Sequence, residues 1–154
     1  MNAAARGEVT RFVQFGTLSV AASLGVALLA FAQALALHVW EIATIGIAIA
    51  LIAGILLSTL TIEIDDQGIF WCFTGGLLSR RVEFTDVARC EPTRWQSMSY
   101  GYRMWFNKRA WMITGRGAMA LDVSGSGMQY VVGCDDPAAV CAEIERRMTA
   151  RTTT

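Results

Sequence analysis

Residues 12–40 read FVQFGTLSVAASLGVALLAFAQALALHVW, and residues 42–62 read IATIGIAIALIAGILLSTLTI. Glu41 alone separates two runs that carry no Asp, Glu, Lys or Arg. An α-helix rises about 1.5 Å per residue, so about 20 apolar residues cross a hydrocarbon core of about 30 Å. Neither run alternates like a strand or contains proline. Each reads as a spanning helix, which satisfies its own backbone hydrogen bonds in lipid. The break at 38–41 has room only for a tight turn, so the expected element is a two-helix transmembrane hairpin over 12–62.

Small residues recur at helical spacing in the first run (Gly16, Ser19, Ser23, with Ala22 and Gly25 nearby) and dot the second (Gly46, Gly54). Such faces let helices approach closely in lipid; the alternative is alanine-rich filler. Trp40 suits the headgroup-level aromatic belt, and Glu41 belongs in water at the turn. His38, the single histidine, reads as an interfacial residue. Arg6 and Arg11 precede the first run while the turn has no Lys or Arg. The positive-inside rule therefore puts 1–11 and everything after 62 in the cytoplasm. A cleavable signal peptide ending near 32–36 (AQALA) competes with this reading. The length of the first run and the second span just after it favour the uncleaved hairpin.

The 154 residues are 54% apolar and 17% charged, with thirteen basic and thirteen acidic side chains and a mean hydropathy of +0.41. This excludes a disordered chain, and zero net charge argues against a nucleic-acid partner. Cys72, Cys90, Cys134 and Cys141 lack C-x-x-C spacing, and no pair of histidines accompanies them, so no metal site is expected. Export would allow two disulfides. In the cytoplasm the four are small buried hydrophobes, Cys141 on the apolar face of a helix.

After residue 62 the pattern alternates. Short strands are expected at 61–65, 69–73, 79–84, 86–91, 102–106, 110–113, 118–123 and 128–132, divided by turn residues at 65–68, 75–76, 107–109, 114–117 and 124–127. Asp135 or Asp136 can cap a final helix, in which Val140, Ile144 and Met148 share a face and Glu143 pairs with Arg147. Residues 150–154 read as a tail.

Several motifs occur in this order: 62–69 (IEIDDQGI), 81–87 (RVEFTDV), 100–103 (YGYR), 117–121 (GAMAL) and 130–137 (YVVGCDDP), the last followed by an amphipathic helix. Together with two preceding membrane helices, residues 59–149 resemble the bacterial pleckstrin-homology-like membrane proteins. The resemblance implies an α+β membrane protein in which a small antiparallel β-barrel over 63–149 is closed by a C-terminal α-helix. It implies no catalytic residues. With the orientation read from flanking charge, the chain is expected in a bacterial inner membrane as a multi-pass protein with both termini cytoplasmic.

The search for chemistry agrees. One histidine at a membrane turn permits no Ser-His-Asp or Cys-His arrangement, and the glycine pairs extend to no dinucleotide or phosphate-loop motif. No enzyme activity and no cofactor are expected. Between Glu91 and Asp122, however, there is no acidic residue, while basic and aromatic side chains interleave. Arg94, Trp95, Arg103, Trp105, Lys108, Arg109 and Trp111 are the candidate contact residues, with Arg80 and Arg81 as a second group. Tryptophan and arginine are enriched in binding hot spots and also suit anionic headgroups. Solvated charges above aromatics that fill the core are the plainer alternative. The expected function is a non-catalytic interaction or assembly module, an accessory subunit for another membrane protein or complex. A sensor of anionic lipid headgroups in the bilayer is the second reading.

Overall fold

The computed structural model describes residues 9–38, 40–94, 101–113 and 117–152. In chain order it contains β1 (Thr10–Phe15), α1 (Thr17–Leu37), α2 (Trp40–Leu56), β2 (Thr59–Ile64), β3 (Gly68–Phe73), β4 (Arg80–Glu83), β5 (Val87–Thr93), β6 (Gly101–Met104), β7 (Lys108–Met112), β8 (Ala118–Val123), β9 (Met128–Gly133) and α3 (Pro137–Thr152). Single 3-10 turns follow β3 (Thr74–Gly76) and β4 (Phe84–Asp86).

The chain makes a strand before its first helix. β1 pairs antiparallel with β2, from Thr10 opposite Ile64 to Phe15 opposite Thr59. The Gly16 N–H then donates to the Ser58 carbonyl at 2.7 Å. Both helices are thus an insertion between two neighbouring strands. The expected hairpin boundaries of 12–62 are corrected to helices over 17–56. Phe12, Val13 and Phe15 are apolar strand residues adjoining an apolar helix, and hydropathy merges the two. Gly16 marks the true boundary. A Cβ there would lie 2.3 Å from Ile113 Cγ2 and 3.1 Å from the Leu57 carbonyl oxygen, so only glycine fits the crossing.

By length and composition α1 can cross a membrane over Ser19–Leu37, and α2 contributes a shorter apolar helix, Ala43–Leu56. Val20, Leu24, Leu28, Ile45, Ile49 and Ile52 face outward, whereas Ala34 and Ala43 are buried. A Cβ on Gly54 would come within 2.7 Å of Ser23 Cβ, so the small-residue face is used there. Gly25 and Gly46 meet open space. His38 ends α1 in the left-handed conformation at φ 57°, which lets the chain reverse.

Two sheets form the rest. One is antiparallel, in the order β1-β2-β3-β4; the other runs β5-β8-β9-β7-β6. In the second sheet β7 and β9 are parallel, with Lys108 opposite Gln129 and Trp111 opposite Val132. The expected all-antiparallel barrel is therefore not what forms: among the described residues the sheets do not close. β1 occupies the free edge of β2 that closure would need, and β4 passes to β5 through one 3-10 turn without pairing. Leu60, Ile62 and Ile64, then Ile69, Trp71 and Phe73, alternate into a shared core with Met119, Leu121 and Val132. Each strand foreseen after residue 62 is present within a residue or two.

α3 places Val140, Cys141 and Ile144 in that core and packs on β5 and β8. Asp136 accepts from the Ala139 N–H at 3.0 Å as its cap, and the helix runs through 150–152, positions expected as tail. Cys90 on β5 and Cys141 are joined in a disulfide across a Cα–Cα distance of 5.7 Å. The expectation of four free thiols is corrected for this pair, because inward positions on two packed elements fall within bridging range. Cys72 and Cys134 are free. Burial pushes the Cys134 thiol up to about 12, which keeps it unreactive at neutral pH.

A polar cluster fastens β1 to α3. Arg147, nearly buried, donates to Glu143 at 2.7 Å, to Asp66 at 3.2 Å and to Thr10 at 3.0 Å, and Gln14 donates to Asp135 at 2.9 Å. Hydrogen bonds from Arg146 and Arg147 hold the Glu143 carboxyl at about 2, below its ordinary 4.5. A lowered carboxylate value stabilises the fold above the unfolded value, and that stabilisation is lost as pH falls through the folded one. The thermal midpoint should therefore fall as pH drops from about 4.5 toward about 2, and Glu143→Gln should flatten that part of the profile. An unchanged slope in the variant would contradict the assignment.

Candidate interaction surface

The strands give the domain two ends. Phe15, Gly16, Leu57 and Ser58 mark the helix junction, and Ile113, Gly101 and Gly133 lie beside it, against Gly16, Leu57 and Gln14 respectively. From Gly101 opposite Met112 the β6–β7 hairpin runs to Met104 opposite Arg109. At about 3.3 Å per residue, its turn lies about 10 Å along the strands from the junction.

Arg94, exposed just after β5, stands at the junction end, because Thr93 pairs with Ala118 and Ala118 with Gly133. Trp95 lies outside the described residues. Arg103, Trp105 and Lys108 are at the opposite end, around the β6–β7 turn. Trp111 is corrected: at 3% exposure it belongs to the core. Its ring meets Trp71 edge-on at 5.4 Å and Tyr102 at 5.0 Å, and its indole N–H donates to the Leu78 carbonyl at 2.6 Å. On β7 the side chains alternate, so Arg109 shares the inward side with Trp111 while Lys108 faces out.

The structure thus divides the candidates. Arg109 borders one cavity with Arg80 and Arg81, which lie nearly thirty positions earlier, and Arg81 also pairs with Asp65 at 2.5 Å. Burial alone would raise the Asp65 value, but the Gln67 N–H, Arg81 and the Gly68 N–H together hold it lower.

Two features were not foreseen. Met104 and Phe106 flank Trp105 on the turn, Met104 67% exposed and Phe106 fully so. Leu77 and Leu78 are also exposed, following the 3-10 turn that packs on the end of α2. Two large apolar residues at a turn, where polar ones are usual, were the available signal for the first. The turn is well ordered by backbone bonds: the Trp105 N–H donates to Lys108 and the Gln129 N–H to Asn107, both at 2.8 Å. Comparison with known proteins gives no match, whether to family models, to curated proteins or to solved structures.

Proposed function

We propose that this chain is a non-catalytic, membrane-anchored interaction module at the cytoplasmic face of a bacterial inner membrane, docking another membrane protein or complex through the β6–β7 turn. The observation that carries this reading is the Met104-Trp105-Phe106 turn. It is apolar, held by backbone bonds, flanked by Arg103 and Lys108, and at the end of its strands opposite the helix junction. Aromatic side chains with arginine nearby are what hot spots are made of. Two packed sheets with one C-terminal helix support a pleckstrin-homology-like domain, to which β1 and the parallel β7–β9 pair are additions.

The pairing of Phe15 with Thr59 supports a two-pass anchor. A helix that leaves the sheet and crosses the bilayer must be matched by one that returns, and α2 is the only chain available. Its 17 residues reach about 26 Å, close to the hydrocarbon thickness. Orientation draws on two opposed observations. Arg11 and the uncharged turn favour a cytoplasmic domain. The Cys90–Cys141 pair favours an oxidising compartment. We give the charge asymmetry precedence, because it acts on the segments flanking the helices, which set orientation directly.

Phe106→Asp should leave the fold intact, since nothing packs over the ring, and should lower recovery of the partner in mild detergent by about tenfold or more. Recovery of the same partner in undiminished amount would overturn the docking site. Headgroup sensing is favoured by Arg94 with Leu77 and Leu78 at the junction end. On that reading Arg94→Gln, and not Lys108→Ala, reduces salt-sensitive binding to anionic vesicles.

A further inference from the structure

We infer that the cavity between β4, β7 and the β8–β9 turn is a binding site for a phosphate-bearing ligand, held by Arg80 and Arg109. This goes beyond the docking surface, which uses the outer side of the β6–β7 turn. The cavity measures about 500 Å³, and Tyr130, Ser124 and Ser126 complete its polar lining.

Arg80 and Arg81 on β4 and Arg109 on β7 line the cavity from two sheets. Arg81 is engaged by Asp65. Arg80 lies over the Tyr130 ring, 5.6 Å from its centroid, and has no carboxylate partner among the described residues. Arg109 has none either, and its Nε–H is buried without any acceptor. A guanidinium N–H removed from water and left unpaired is costly. Asp86 is the one carboxylate on the cavity wall, and its carbonyl, not its side chain, is engaged, accepting from the Ser124 N–H at 2.7 Å. With Arg81 offset by Asp65, Arg80 and Arg109 outnumber Asp86 on the wall, an excess of positive charge that an anion would relieve.

The geometry selects the kind of anion. Guanidinium groups pair with planar or tetrahedral oxyanions through parallel N–H···O bonds, and several together match a doubly charged group. The Ser124 hydroxyl of the turn, where Gly125 and Gly127 both have positive φ, adds a donor that a phosphate accepts from. Arg80 is exposed and lies over the Tyr130 ring, which places its guanidinium at the mouth of the cavity. Trp71, opposite Arg80, lies three pairs from the Thr59 end of β2, so the site stands about 10 Å along the strands from the helix junction. A soluble phosphomonoester and a projecting lipid phosphate both present the required group.

The test uses the full chain in detergent and in vesicles. Inorganic phosphate, titrated against chloride at matched ionic strength, is the soluble probe. Phosphatidylcholine vesicles with and without phosphatidic acid are the lipid probe. Saturable binding in the first arm identifies a soluble ligand, and saturable binding only in the second identifies a headgroup. Either Arg80→Gln or Arg109→Gln should weaken that binding by about tenfold or more. Arg89→Gln, which breaks an exposed pair with Glu91 on β5, should not. Arg80 is exposed, so its variant tests the site even where Arg109→Gln fails to fold. Absence of saturable binding in both arms, or a loss at Arg80 no larger than at Arg89, would overturn the inference.

Discussion

Replacing Trp71 with alanine should destabilise the domain by about 3–5 kcal/mol, a large share of the about 5–15 kcal/mol that holds a typical domain folded. Trp71 is fully buried on β3 in the first sheet, while its ring neighbours Trp111 and Tyr130, at 5.4 and 5.7 Å, belong to the second. It bridges two sheets that share no strand pairing among the described residues. Truncation leaves a cavity that Trp111 cannot fill, because its indole is tied to Leu78. Trp71→Phe should cost much less. The indole N–H of Trp71 has no partner, so removing it forfeits no hydrogen bond. Denaturant unfolding of both variants, followed through aromatic signals, measures the difference. Equal losses in the two would show that ring volume is not what joins the sheets.

Excising residues 16–58 and joining Phe15 to Thr59 through Asn-Gly should release the domain from the membrane with its fold retained. Phe15 and Thr59 already face each other across an antiparallel pair, and a two-residue Asn-Gly turn closes such a pair without strain. The contacts from Arg147 to Thr10 and from Gln14 to Asp135 would keep β1 in place. What disappears is the outward-facing leucine, isoleucine and valine surface of α1 and α2. The shortened chain should move entirely from the membrane to the soluble fraction. Its persistence with membranes would mean that the domain itself carries the attachment, as the headgroup reading requires.

The two helices and the strands after residue 62 were legible because each is a local pattern: an uncharged apolar run, or alternation bounded by turn residues. β1 was not, since three apolar residues beside an apolar helix carry no mark of their own conformation. Nor was the sheet order. The parallel pairing of β7 with β9 joins residues about twenty apart, and nothing in either strand specifies its partner. Trp111 shows the same limit at the level of one residue. In a five-residue strand, alternation says that Trp111 and Lys108 face opposite ways, but only the packing of β7 on Trp71 says which side is inward. The gathering of Arg80, Arg81 and Arg109 around one cavity depends on both sheets at once, so their charges were readable and their shared cavity was not. The Cys90–Cys141 bridge has the same origin, because it joins β5 to α3.

The side of the membrane on which the domain lies can be read directly. With Cys72→Ser removing the one half-exposed free thiol, Lys108→Cys places a single exposed thiol at the far end of the domain. A membrane-impermeant maleimide should label that thiol in inverted inner-membrane vesicles and leave it untouched in intact spheroplasts. Labelling in spheroplasts would put the domain, with its disulfide, on the outer face and contradict the cytoplasmic module proposed here.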